Sequence, residues 1–355
     1  MAASWERLID MKITHGGNVW QEGSPADWLD FSANIRPGGA SDWVKQALAE
    51  GLENARYYPA LDMHRARKAL SEYLRLNEKF VIPCAGGVSA ITMATRCGAK
   101  EVFVCAPCFG EYGGAAHQAR LPLTSVSLMR KDRGIKDPRV ALKDVLEEGS
   151  LVWLCSPMNP VGYAFEREQI EDLLELIRDK HCRLAVDEAF IDFCPDSSVR
   201  DLVNAHPELI ITGSFTKSLG IPGVRLGYLC AQDADKLAEA MLPWELNCFA
   251  ENVLLALPEH REEVEADAEI NRRRREVFKA QLEALGLYVY PSQADFLLVD
   301  FRKTTDSIVE KLKSKHILVR TCLDFQGVND GCHLRLAVKD EASNGTLIEA
   351  LKEIL

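Results

Sequence analysis

Lys217, Asp187 and Asn159 each stand just beyond a short apolar run, so an amine, a carboxylate and an amide arrive from three successive segments. The runs are Leu209-Ile210-Ile211 before Gly213-Ser214-Phe215-Thr216-Lys217, Leu184-Ala185-Val186 before Asp187-Glu188-Ala189-Phe190, and Leu151 to Cys155 before Ser156-Pro157-Met158-Asn159. Short unbroken apolar runs bounded by turn residues read as buried strands. In open α/β sheets ligands gather beyond the carboxyl ends of strands. Lys217, with Ser214, Thr216 and Arg225 nearby, is therefore placed to touch a phosphorylated ligand. A lysine to bond its aldehyde carbon, an acid to keep its ring nitrogen protonated and a donor to its phenolic oxygen are what pyridoxal phosphate needs from a protein. The plainer readings are a surface lysine, or an Asp187 that serves a magnesium ion. For the second, no G-x-x-x-x-G-K-[ST] loop exists to hold a nucleotide.

Those three strand ends must be carried by a sheet, and the chain supplies one. Apolar runs at Phe80 to Cys84, Glu101 to Cys105 and Thr124 to Leu128 alternate with helical patterns at Asp137 to Glu147 and Glu166 to Asp179. The alternation predicts a mostly parallel α/β sheet covered on both faces. In Phe80 to Ile91 a strand meets Gly86-Gly87 and then a helix, an arrangement whose free amides bind phosphate. Helical patterns at Ser41 to Leu52, with Ser41 as cap, and at Asp62 to Leu74 flank Arg56-Tyr57-Tyr58-Pro59. Farther on, a long helix from about Arg261 to Leu285 leads to strands at Tyr288 to Tyr290, Ala294 to Phe301, Ile317 to Arg320 and Cys332 to Val338. With helices at Thr305 to Ser314 and Asn344 to Ile354 these predict a small α+β domain. The expected division is an arm over 1–40, a large domain over 41–258 and a small carboxyl-terminal domain over 259–355. The arm carries His15-Gly16-Gly17-Asn18 and Asp30 to Ile35, and is either disordered or tied down on a surface.

The 355 residues are 47% apolar, enough for a large core, and a net charge of −11 argues against nucleic acid as a partner. Arg272 to Arg275 is a local exception that lies in a Glu-rich helix and reads as a solvated face with one or two structural pairs. No apolar run is long enough to span a membrane and Met1 to Asp10 has no signal-peptide core, so a soluble, cytoplasmic protein is expected. Eleven scattered cysteines suit free thiols in a reducing compartment. The spacing Cys105-Ala106-Pro107-Cys108 matches a redox motif but sits inside a longer α/β pattern, where it reads as coincidence. No metal site is expected. Arg335, flanked by apolar residues in a strand pattern, is a buried guanidinium that needs an anion; a structural ion pair or a ligand carboxylate would serve.

The ordered set Asn159-Pro160-x-Gly162, Asp187-Glu188-Ala189 and Thr216-Lys217 with Arg225 eight residues on resembles the fold-type I aminotransferases. The resemblance spans nearly the whole chain and points to the branch of histidinol-phosphate aminotransferase and threonine-phosphate decarboxylase. It implies a homodimeric pyridoxal-phosphate enzyme with shared active sites. In such an enzyme Lys217 carries the cofactor, Asp187 faces the ring nitrogen, Asn159 donates to the phenolic oxygen and Phe109 stacks on the ring. The amides of Gly87 and Val88 would cup the cofactor phosphate with Ser214, Thr216 and Arg225, while Tyr58 reaches the phosphate of the other subunit. Arg335 would take the substrate carboxylate. His15-Gly16-Gly17-Asn18 and the segment Arg320 to Gly327 are similar to decarboxylase segments near the substrate phosphate, and His15, Asn34 and Arg320 are the receptor expected for it. Phe190 departs from the tyrosine common in this branch, Val88 from an acidic or hydroxyl residue, and Asp295 from asparagine. The reaction implied is decarboxylation of L-threonine O-3-phosphate to (R)-1-aminopropan-2-ol O-2-phosphate for cobalamin assembly, with L-serine O-phosphate as an adjacent substrate. Transamination of histidinol phosphate is the alternative. An idle cofactor-binding regulator is the other class, and the retained Lys217 and Asp187 argue against it.

Overall fold

The computed structural model describes residues 15–355, so Met1 to Asp10 lies outside the described residues. Strand β1 (Leu29–Asp30) belongs to the arm. Strands β2 (Val81–Cys84), β3 (Val102–Ala106), β4 (Leu123–Ser127), β5 (Leu151–Cys155), β6 (Arg183–Asp187), β7 (Leu209–Ser214) and β8 (Gly227–Cys230) form one sheet in the order β2-β8-β7-β6-β5-β3-β4. The run from β4 to β7 is parallel, and β8 lies antiparallel between β2 and β7. Every residue of β2, β3, β5 and β7 is buried. A sheet covered on both faces demands that, because neither side of a strand meets water. Helix Arg167–Asp179 shows how the cover is built: a capping box between Glu166 and Gln169 starts it, and Ile170, Leu173, Leu174 and Ile177 turn one apolar face to the sheet.

Strands β9 (Tyr288–Val289), β10 (Phe296–Asp300), β12 (Arg320–Thr321) and β13 (His333–Ala337) form an antiparallel sheet in the order β12-β13-β10-β9. Its core includes Phe278, Leu297, Leu312, Leu334 and Leu347, drawn from the strands and from helices Arg261–Ala284, Asp306–Ser314 and Glu341–Ile354. This core is a cluster separate from that of the large sheet.

Several expectations are corrected. The helix expected over Asp137 to Glu147 stops at Leu142: Asp137 caps Pro138–Leu142, after which the Val145 and Leu146 amides both donate to the Leu142 carbonyl in a turn. Ser41 takes the cap position of helix Asp42–Asn54 without a side-chain bond. The strand expected over Ile317 to Arg320 is two: β11 (Ile317–Leu318) leaves the small sheet to pair in parallel with β1, and only β12 stays. The arm is thus tied down. Phe31 follows β1 into the small-domain core, and Arg36 pairs with Asp267 at 2.7 Å. Within Arg272 to Arg275 the last residue departs from a solvated face: Arg275 is buried and donates to the Ala294 carbonyl at 3.0 Å. All eleven cysteines are free. Among the described residues no helix is long and apolar enough to cross a membrane, and no cluster of metal-ligating side chains occurs.

Candidate active site

Parallel pairing aligns the three strand exits: Cys155 lies opposite Asp187, and Asp187 opposite Thr212. Beyond them opens a cavity of about 360 Å³ roofed by the arm and by residues of the small domain. All of the residues expected to hold cofactor or substrate line it except Ser214 and Tyr58. Ser214 sits one layer below. Tyr58 is 82% exposed and packs against Trp244, with ring centroids 4.9 Å apart.

Asp187 is buried, and burial pushes its carboxyl up while Tyr112 and Lys217 pull it back. One oxygen accepts the Tyr112 hydroxyl at 2.6 Å; the other accepts the Ala189 amide at 3.1 Å and the Thr212 hydroxyl at 3.3 Å. The sequence reading missed Tyr112, which stands one helical turn past Phe109 and stacks on Trp153 at 4.7 Å. Lys217 places its Nζ 3.3 Å from Ser214 Oγ, and Ser214 Oγ lies 2.8 Å from Thr216 Oγ1. Burial lowers the pKa of this amine, opposed by the charge of Asp187. Phe190 offers the lysine only a ring face, 5.9 Å away.

The phosphate end is a matter of close backbone packing. Gly86 has φ +84°, and a Cβ there would come within 2.7 Å of Arg225 Nη2. A Cβ on Gly227 would meet Gly86 C at 2.7 Å and Gly87 N at 2.8 Å. The turn therefore lies flat on β8 with Arg225 against it, and helix Gly87–Thr95 starts with its amides at the cavity. Arg225 itself has φ +63° and donates to the Pro222 carbonyl at 3.1 Å. Glu245 braces the turn by accepting from the Ala85 amide at 3.2 Å and from the Ser89 hydroxyl.

The opposite end is assembled from charged side chains. Arg335 donates to Asn159 Oδ1 and to the Ser32 carbonyl, both at 2.7 Å, and its Nε has no partner. Neither acceptor is a carboxylate. Burial lowers its pKa to about 10. Because Arg335 holds the carbonyl oxygen of Asn159, the amide nitrogen is the group that side chain offers as a donor. Asp295 is buried with an unpartnered Oδ1, and burial raises its pKa to about 7 against the charges of Arg335, Lys339 and Lys217. Arg320 is 5% exposed, lies over the Phe325 ring at 4.8 Å and binds Asp324. His15 bonds Glu111 at 2.8 Å beside Phe109. The Gly16-Gly17 pair brings backbone against backbone: a Cβ on Gly16 would sit 2.0 Å from the Ser32 carbonyl oxygen, and the Gly17 amide donates to Ser32 Oγ at 2.8 Å. Asn34 is buried with an unpartnered Oδ1.

This donor set fits pyridoxal phosphate. A glycine cradle under an arginine suits its phosphate, a buried carboxylate its ring nitrogen, Phe109 its ring face and a lysine of depressed pKa its aldehyde.

The family model for aminotransferase class I and II matches residues 26–351. A threonine-phosphate decarboxylase of Salmonella typhimurium is 29% identical over 352 residues, covering 96% of this chain and 96% of that protein. Histidinol-phosphate aminotransferase 2 of Archaeoglobus fulgidus is 30% identical, covering 92% of this chain and 93% of that protein. A solved histidinol-phosphate aminotransferase from Clostridium acetobutylicum superposes with a TM-score of 0.84 at 25% identity, covering 91% of this chain and 98% of that one.

Proposed function

The chain belongs to the aminotransferase class I and II family and uses pyridoxal 5'-phosphate, and from that premise we propose that it decarboxylates L-threonine O-3-phosphate to (R)-1-aminopropan-2-ol O-2-phosphate in cobalamin assembly. L-serine O-phosphate fits the same receptors. The observation that carries the reading is three arginines, Arg225, Arg335 and Arg320, in one cavity. A phosphorylated amino acid brings a phosphate and a carboxylate besides the phosphate of the cofactor, so it needs three anion receptors.

When bound, the cofactor supplies an electron sink for the pair released at Cα. Asp187, whose ionised form the Tyr112 hydroxyl favours, would hold the proton on the ring nitrogen, while Asn159 would donate to the phenolic oxygen and Phe109 would cover the ring. Arg335 binds and orients the substrate carboxylate, and Arg320, His15 and Asn34 hold its phosphate. Carbon dioxide leaves, and Lys217, carrying a proton as an ammonium whose pKa burial lowers, would be the group placed to deliver that proton to Cα and be left as the neutral amine. The arm, the large domain and the small domain, over 1–40, 41–258 and 259–355, each contribute to this cavity. In the same reading the protein is a cytoplasmic homodimer whose exposed Tyr58 reaches the site of the other subunit.

Transamination of histidinol phosphate is the second reading, supported by the 30% identical relative. Purified protein incubated with L-threonine phosphate, L-serine phosphate, and histidinol phosphate with 2-oxoglutarate separates them. Carbon dioxide without glutamate is expected; glutamate from histidinol phosphate with no carbon dioxide from either phospho amino acid hands the assignment to transamination.

A further inference from the structure

Two carboxylates line the cavity among the described residues, Asp187 and Asp324, and the proposed chemistry uses only the first. Asp324 is carried by the turn after β12, where the Phe325 amide donates to the Cys322 carbonyl at 3.0 Å. Its side chain is 12% exposed and that of Arg320 6%. A guanidinium so buried is costly without a counter-ion, and an anion held beside it before any ligand arrives lowers that cost. Asp324 does, but in a poor geometry: both of its oxygens accept from the same nitrogen, Arg320 Nη2, at 2.8 and 2.7 Å. A strong arginine–carboxylate pair uses two nitrogens in parallel. Arg320 itself is fixed independently, by its Nη1 bond to the Thr321 carbonyl and by the Phe325 ring. It stays in place if Asp324 lets go.

We propose that Asp324 is a place-holding anion that neutralises Arg320 in the resting site and yields it to the substrate phosphate, which makes Asp324 a specificity-determining residue. This rests on the reading that Arg320 receives that phosphate. Exchange of a tethered carboxylate for a free monoanion gains no charge and loses the advantage of tethering. Exchange for a phosphate, which carries between about 1.5 and 2 negative charges at pH 7, gains attraction. The contact thus admits phosphate esters and turns away carboxylate side chains of similar reach.

The test titrates inorganic phosphate, and separately acetate, into the cofactor-loaded protein by calorimetry. Asp324→Asn is expected to bind phosphate about tenfold more tightly than wild type, as removal of one charge near the ligand implies, and to gain measurable acetate binding. Asp324→Glu keeps the charge and should stay within about threefold of wild type. The gain must vanish when Arg320→Gln is combined with Asp324→Asn. Phosphate binding that is unchanged or weaker in Asp324→Asn, with the visible cofactor band intact, overturns the proposal, as does a gain that survives loss of Arg320. If Asp324→Asn fails to fold, phosphate binding weakened by more than about threefold in Asp324→Glu overturns it equally. The functional reading is judged separately: wild type that binds phosphate through Arg320 yet releases no carbon dioxide from L-threonine phosphate refutes that reading and leaves the place-holder standing.

Discussion

The two ends of the cavity are built on different principles. The cofactor end is backbone: three parallel strand exits, a glycine turn pressed on β8 and a helix start, with side chains locked by short-range bonds such as Tyr112 to Asp187. The substrate end is side chain, drawn from the arm, helix Glu111–Gln118, β12 and β13. There Arg320, His15 and Arg335 each already have a local partner, in Asp324, Glu111 and Asn159. One end is preformed and the other is already occupied by its own side-chain partners. Changes at the first should therefore abolish cofactor chemistry, and changes at the second should alter the choice of substrate while the cofactor stays bound.

Lys217→Ala tests the first half most severely. Turnover should fall by up to about 10⁴-fold, and the visible band of the lysine-bound cofactor should disappear, since no other amine lines the cavity among the described residues. A variant spectrum identical to wild type would remove the basis for the site. Arg320→Ala tests the second half. Loss of a buried charged partner costs about 3 to 5 kcal/mol, so kcat/KM for L-threonine phosphate should drop by about 10² to 10⁴-fold with the cofactor band unchanged. Loss of the band together with activity would erase the distinction between the two ends.

Asp295→Asn sharpens the comparison through pH. The Asp295 carboxyl ionises near 3.8 in an ordinary setting and near 7 when folded. Between those values the folded chain holds the extra proton, so this residue supports stability fully below about pH 4, and that support is lost as pH rises through 7. Thermal melts of the cofactor-free protein from pH 4 to 8 should be flatter in the variant, by about 1.4 kcal/mol for each pKa unit that the burial imposes. Parallel curves would show that Asp295 is not shifted. Tyr112→Phe has the smallest expected effect. A hydrogen bond to a charged group is worth about 1.5 to 3 kcal/mol, and because the ring still stacks on Trp153 the fold should survive. Cofactor affinity, measured by equilibrium dialysis, should weaken by about tenfold or more, while the preference between phospho amino acids stays as it was. A changed preference with unchanged affinity would place Tyr112 at the wrong end.

The cofactor end was legible because local rules govern it. A strand covered on both faces must be apolar along its length, so β5, β6 and β7 announce themselves, and the residue types at their exits name the chemistry. The tyrosine under Asp187 was not legible, because nothing in Phe109-x-x-Tyr112 says which way a helical turn faces. At the small domain, Ile317 to Arg320 reads as one strand by pattern, yet β11 pairs with an arm nearly three hundred residues earlier.

By itself the sequence determined the alternation of strand and helix, the three strand exits with their amine, carboxylate and amide, and the glycine turn, because period and turn chemistry act over a few residues. Tertiary structure alone decided that Arg335 would bond Asn159 and Ser32 in place of a carboxylate, that Gly16 would pack on Ser32, and that Asp324 would meet Arg320 inside the cavity. Those contacts depend on which charges burial brings within reach of one another, and the cost of leaving a buried charge unpaired is set by its surroundings in space, to which spacing along the chain is blind.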